Sequence, residues 1–178
     1  MLGTIVVIAL VIAVLLAAVV GYAATRPGDF EVRRSATINA PAAKIYPLID
    51  DFHQWARWSP WEERDPAMRR DFSGAASGRG AVYAWDGNGK VGAGRMEITE
   101  AAPQAKIAIK LDFSRPFEGH NVAEFTFAPN GQATAVTWAM RGPLTLMMKV
   151  MHLFMNMDRM VGGDFEAGLA KLKAAAET

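Results

Sequence analysis

Residues 51–62, DFHQWARWSPWE, hold Phe52, Trp55, Trp58 and Trp61, three of the five tryptophans in a chain of 178 residues. Aromatic side chains at that density can stack on bases, lodge at a membrane surface, cage a cation, line a pocket for an apolar ligand or fill a core. Residues 147–160, MMKVMHLFMNMDRM, gather Met148, Met151 and Met155 around His152, a thioether and imidazole set of the kind that holds copper(I). GNGKVG at 87–92 has the glycine spacing of a dinucleotide-binding turn. Asp158 adds a carboxylate, which on a core-facing position must be hydrogen-bonded, paired or wet.

The surroundings of these motifs remove most of that chemistry. Net charge is +1 with acids and bases interspersed, so there is no basic stripe for a phosphate backbone, and nucleic acid is not an expected partner. No helical pattern follows the glycines of 87–92 to present its N-terminus to a pyrophosphate. Ile107-Ala108-Ile109-Lys110 is similar to the lysine strand of a protein kinase, but neither H-R-D nor D-F-G accompanies it, and a glycine-rich hairpin is expected instead. The methionines stand at heptad spacing, which favours a packed helix or an adaptable apolar wall over copper. His53, His120 and His152 fall on three different elements, and no serine or cysteine nucleophile adjoins a histidine. Zero cysteines exclude disulfides and thiolate ligands. No metal or cofactor is expected, and no catalytic residue is assigned.

Residues 1–25 carry no charged side chain, and 2–24, LGTIVVIALVIAVLLAAVVGYAA, would span roughly 34 Å as a helix against a hydrocarbon core of about 30 Å. We read them as a transmembrane anchor. Gly21 and Ala23 offer a small-x-small pair that a signal peptidase accepts, but no Lys or Arg precedes the apolar run and the run is long for a signal peptide. Arg26, Arg33, Arg34 and Lys44 follow it, which by the positive-inside rule puts the remaining chain on the cytoplasmic side of the cell membrane. Three regions result: an anchor at 1–25, a linker at 26–29 and one domain at 30–178.

Within that domain 30–38 reads as a strand, and Pro41 opens a helix that runs to about Asp51 and bends at Pro47. The period then changes to two. Ile107, Ile109, Leu111 and Phe113 alternate with polar or small residues, as do Met96 and Ile98, Ala123 to Phe127, and Val136 to Met140. With 68–72 and 81–85 this makes six further strands, antiparallel by their short Gly, Pro and Asn turns. From 144 to 176 the helical period returns, with Leu144, Met148, Met151, Met155, Asp158, Gly162, Phe165, Leu169 and Leu172 on one stripe of one long helix. The order predicts an α+β fold in which a curved antiparallel sheet of about seven strands wraps a long C-terminal helix, leaving a space between them. On that stripe Asp158 would reach solvent, pair with Arg141 or Arg159, or serve as a polar anchor inside the space.

Two stretches carry a family resemblance. TINAPAAKIYPLIDDFHQWARWSPWEERDP at 37–66 resembles the opening of SRPBCC (START-like) proteins of the polyketide cyclase/dehydrase type, and GGDFEAGLAKLK at 162–173 is similar to the end of their C-terminal helix. The resemblance, covering about 30–176, implies the helix-grip fold with a deep apolar cavity between sheet and last helix. Pro47 and the apolar N-terminal helix depart from the simplest members, and no catalytic set of the family's cyclases matches residue by residue.

The expected lining is Trp55, Trp58 and Trp61 at the rim, then Tyr83, Trp85, Met96, Phe113, Phe125, Trp138, Met151 and Met155, with Asp158 as the polar member. The tryptophans have a second reading as plugs of the open end of the sheet. Such a lining favours an apolar ligand held mainly by buried area. The expected function is therefore binding or transfer of a hydrophobic small molecule, such as a lipid, quinone, isoprenoid or polyketide, at the membrane. Two alternatives stay open: a polyketide cyclase or dehydratase, which requires ionisable groups such as Asp158 and Arg141 to converge in the cavity, and a membrane-tethered interaction or stress-regulatory module, which requires a filled cavity and an exposed apolar patch elsewhere.

Overall fold

In a computed structural model, which describes residues 2–178 and every side chain among them except those of Leu2 and Met157, the apolar N-terminal run is a single helix, α1 (Leu2–Ala24). It is long and apolar enough to cross a membrane, and nearly all of its side chains are exposed. Four residues separate it from β1 (Asp29–Ile38), which leads into α2 (Ala42–Asp50). Pro47 is accommodated inside α2 at the loss of one backbone hydrogen bond. A 3₁₀ turn (Phe52–Arg57) and the short α3 (Pro60–Arg64) carry the tryptophans. Asp51 starts that turn by accepting a hydrogen bond from the His53 backbone N–H at 2.9 Å.

Six strands follow: β2 (Arg69–Gly74), β3 (Ala81–Asp86), β4 (Ala93–Ala102), β5 (Lys106–Arg115), β6 (Gly119–Asn130) and β7 (Ala133–Pro143). With β1 they form one seven-stranded antiparallel sheet in the order β1-β7-β6-β5-β4-β3-β2, because the chain meanders from β2 to β7 and β1 then closes on β7. Register puts the apolar member of each alternating pair on the inner face: Phe125 lies opposite Trp138 and Ile107, and Met96 lies between Tyr83 and Leu111. Register shifts between β4 and β5 mark bulges, which sharpen the sheet's curvature.

The helix expected as one piece over 144–176 is two: α4 (Leu146–Phe154) and α5 (Met157–Glu177). Met155 adopts an extended conformation, and the Asn156 side chain accepts the Arg159 backbone N–H at 2.9 Å, so a new helix is capped where the old one ends. The Thr145 hydroxyl caps α4 in the same way, accepting from Met148 N–H at 3.3 Å. The break divides the apolar stripe. Phe165, Leu169, Leu172 and Ala176 of α5 are buried against the sheet, whereas α4 has no buried residue.

Candidate functional site

The aromatic stretch opens on the end of α2. The backbone carbonyls of Leu48 and Ile49 lie in the last turn of that helix, where no intrahelical donor remains for them. The indole Nε1–H of Trp58 donates to Leu48 at 2.7 Å and that of Trp55 to Ile49 at 3.0 Å. The three-residue spacing of the tryptophans serves this capping, since residues three apart eclipse along a 3₁₀ turn. Both rings then turn inward. Trp58 sits edge-on to Phe125 and Trp138, and Trp138 is stacked between Phe125 at 4.8 Å and Phe165 at 4.1 Å. Trp58 and Phe125 are 0% exposed, so neither solvent nor a water-sized void reaches them. Of the two readings of the cluster, Trp55 and Trp58 take the buried one, each held to the inside of the fold by its indole donor. Trp61 alone of the three is only half-buried, with its ring edge-on to Trp138.

A second group lies on the inner face toward the α1 end of the sheet. Trp85 is edge-on to Phe113 at 5.7 Å, and Tyr83 adjoins Trp85. Gly94 makes this possible, because a side chain there would overlap both the Trp85 ring and the Asp112 carbonyl. Trp85 and Phe113 are half-buried, and Met96, Leu111 and Met140 are each close to but not fully enclosed. Met148 of α4 reaches over Gly119 beside Phe113 and Asn121, Met151 is half-buried, and Met155 is exposed. These apolar residues stand together on the inner face, and Met148 brings α4 beside Phe113 without a buried contact.

The polar groups are arranged otherwise than expected. Asp158 is exposed and pairs with Arg34, whose guanidinium donates to both Asp158 oxygens at 3.1 Å and through Nε to Glu166 at 2.6 Å. The Arg34 side chain holds the Asp158 carboxyl below the usual carboxylate range. Arg141 instead lies 3.9 Å from Glu124 and is largely exposed, so the Asp158 and Arg141 pair named for a cyclase does not form. Asp158 stays in phase with Gly162 and Phe165 but stands in the first turn of α5, at the helix end, where Arg34 of β1 meets it.

Unforeseen in the sequence was Glu62, buried in α3, which accepts from the Tyr83 hydroxyl at 2.7 Å and from Arg70 Nε at 2.8 Å. Burial first and then the Glu62 charge push the Tyr83 hydroxyl far above its ordinary value, so it stays a donor to Glu62 rather than an acid. Among the described residues three buried polar atoms have no hydrogen-bond partner: Tyr46 Oη, Asp50 Oδ1 and Trp138 Nε1. Burial, followed by the Asp50 charge, raises Tyr46 to about 12, and burial raises Asp50 as well. Among the described residues no three His, Asp or Glu side chains converge as a metal site.

Two open clefts are present. One, of about 480 Å³, lies between the free edge of β1 and the joint of α4 and α5, and includes Phe30, Leu153, Phe154, Met155 and Asp158. The other, of about 490 Å³, includes Phe113, Asp112 and His120 at the ends of β4 to β6.

Residues 29–177 match the family model described as polyketide cyclase / dehydrase and lipid transport. The chain belongs to this family. No curated protein matches it. Among solved structures it is similar to a protein from Chromobacterium violaceum, at 15% identity and TM-score 0.60 over 86% of this chain and 99% of that one. It is likewise similar to the Aha1 dimer from Colwellia psychrerythraea, at 17% identity and TM-score 0.57 over 83% and 96%. The di-domain ARO/CYC BexL from the BE-7585A biosynthetic pathway gives 17% identity and TM-score 0.62 over 87% of this chain and 52% of that one. These likenesses establish the helix-grip fold for this cyclase/dehydrase and lipid transport family member.

Proposed function

We propose that this chain is anchored in the cell membrane by α1 and binds or transfers a hydrophobic small molecule between the inner face of its sheet and α4. The bulk of the chain lies on the cytoplasmic side, where the excess of Arg26, Arg33 and Arg34 after α1 favours it. One observation carries the reading: the inner-face group of Trp85, Met96, Leu111, Phe113 and Met140 is not fully enclosed, and α4, whose Met148 reaches toward Phe113, has no buried residue of its own. A helix that buries so little is displaced at small cost, and its methionines adapt to whatever apolar surface meets them.

Cyclase or dehydratase chemistry would need a free acid or base on the same face, and Glu62, Arg70 and Tyr83 there bond to one another. The test is native mass spectrometry of the full chain released from its own membrane in mild detergent. We expect one apolar adduct of defined mass per chain. A chain that carries only detergent, and takes up no fluorescent fatty acid or quinone probe afterwards, overturns the reading.

A further inference from the structure

Helix α4 poses a question that the ligand alone does not answer. Of its nine residues only Lys149 and His152 are not apolar, yet none is buried. Phe154 is 75% exposed, Met147 61% and Leu146 47%. A helix this short is marginal in water even before that apolar surface is counted. The exposed set also continues beyond it, to Met155 and Met160 across the joint and to Phe117 in the turn between β5 and β6. That turn stands at the end of the sheet where β1 begins, since Gly119 lies opposite Phe113 and Phe30 lies opposite Gly142.

The same end holds the exit of α1. The last turn of α1 packs on α4 and encloses Ala23 completely. Lys149 Nζ donates to the Arg26 carbonyl at 3.0 Å, and Leu144 N–H donates to the Gly28 carbonyl at 2.7 Å. Four residues, 25–28, join α1 to β1, and these bonds leave them no slack.

We propose that α4, with Phe117, lies in the headgroup layer of the same bilayer that α1 crosses, so that the open end of the sheet faces lipid and an apolar guest passes between bilayer and sheet without crossing water. The occupant of the exposed patch is the lipid surface. It is the apolar phase that α1 already brings to this end of the domain, and Arg26, Lys149 and Arg159 supply the basic charge that anionic headgroups attract. Leu146, Met147 and Phe154 then bury in the acyl boundary the surface they cannot bury in the protein. The inference deepens the reading above and rests on it for the anchor, but its test needs no ligand.

The chain has no cysteine, so single cysteines can be placed cleanly. Full-length Phe117→Cys, Met147→Cys and Phe154→Cys, each carrying an environment-sensitive fluorophore, are reconstituted into vesicles of phosphatidylcholine and phosphatidylglycerol. Asn130→Cys, at the exposed hairpin on the far end of the sheet, is the aqueous control. Probes at 117, 147 and 154 should lose most of their emission to phosphatidylcholine bearing a nitroxide near the headgroup end of its acyl chain, and should resist aqueous iodide. The probe at 130 should do the reverse. Iodide quenching at 147 and 154 equal to that at 130 overturns the proposal, placing α4 in water. Protection from iodide without nitroxide quenching also overturns it, and assigns the patch to a protein partner. The adduct found or missed by mass spectrometry bears on the ligand alone, so the two readings fail separately.

Discussion

The indole groups show how far one residue type can be read from its spacing. Trp55 and Trp58 were legible as neighbours of the helix end and the sheet, but not as caps, because capping depends on carbonyl directions that only the closed backbone fixes. Replacing Trp58 by Ala removes a fully enclosed ring and the donor to Leu48, and should cost about 3–5 kcal/mol in urea unfolding of the full chain in mild detergent. Trp61→Ala, at a half-buried ring with no hydrogen bond of its own, should cost nearer 1 kcal/mol. Equal losses at the two positions would contradict the division between an enclosed Trp58 and a half-buried Trp61. Asp50 gives a pH test. Burial raises its pKa in the folded state, so the stability it contributes is present below the unfolded value, about 3.9, and is lost as pH rises through the folded value. Asp50→Asn should therefore melt higher than the parent near neutral pH, and the gap should close toward pH 4. A gap that does not depend on pH would show that the carboxylate is not the cause.

At the scale of elements, strand number, order and inner-face alternation were legible because a period of two survives any local irregularity that leaves register intact. The C-terminal helix was not. A heptad stripe from Leu144 to Leu172 reads as continuous, and the break is made by two local facts, the extended Met155 and the Asn156 cap, that a helix-length pattern overrides. Of the readings open for Asp158, solvent exposure is the one observed, but its partner is Arg34 and not Arg141 or Arg159; Arg34 and Glu62, unremarkable in sequence as single charges on ordinary elements, became the partners that organise the polar groups. Two glycines of α5 separate what packing tolerates. A side chain at Gly162 would meet the guanidinium of Arg34, the far end of a flexible group that can swing aside, whereas one at Gly168 would come within 2.8 Å of the Trp138 ring and 3.2 Å of Pro60. Gly→Ala inside a helix gains about 1 kcal/mol of propensity, and an exposed ion pair such as Arg34 with Asp158 contributes little to offset it. Gly162→Ala should thus leave stability unchanged or slightly raised. Gly168→Ala should lower it by about 1–3 kcal/mol, since stacked rings cannot yield. Thermal unfolding of the two variants side by side decides this, and a loss at Gly162 matching that at Gly168 would mean the Arg34 bonds hold α5 in place.

For the molecule as a whole, the apolar helix and the family domain meet through a connection too short for independence. Four residues reach at most about 14 Å when extended, less than half the length of the sheet they adjoin, so the domain must stand against whatever surface α1 enters. If α1 crosses a bilayer, burial of about twenty apolar side chains makes removal effectively irreversible. The full chain should then stay with membranes through carbonate and high-salt washing, and protease added outside sealed inverted vesicles should digest the domain while leaving α1 protected. Carbonate should release the chain if α1 merely docks on another protein, because alkali unfolds the partner that holds it, whereas salt alone does not screen a contact made by an uncharged helix. Recovery of a mature chain that begins near Ala24 would give a different result again: α1 would be a cleaved signal, and the apolar face of α4 would then have no anchor beside it. The experiment separates the three because each leaves a different product, an embedded full-length chain, a released full-length chain or a shortened one.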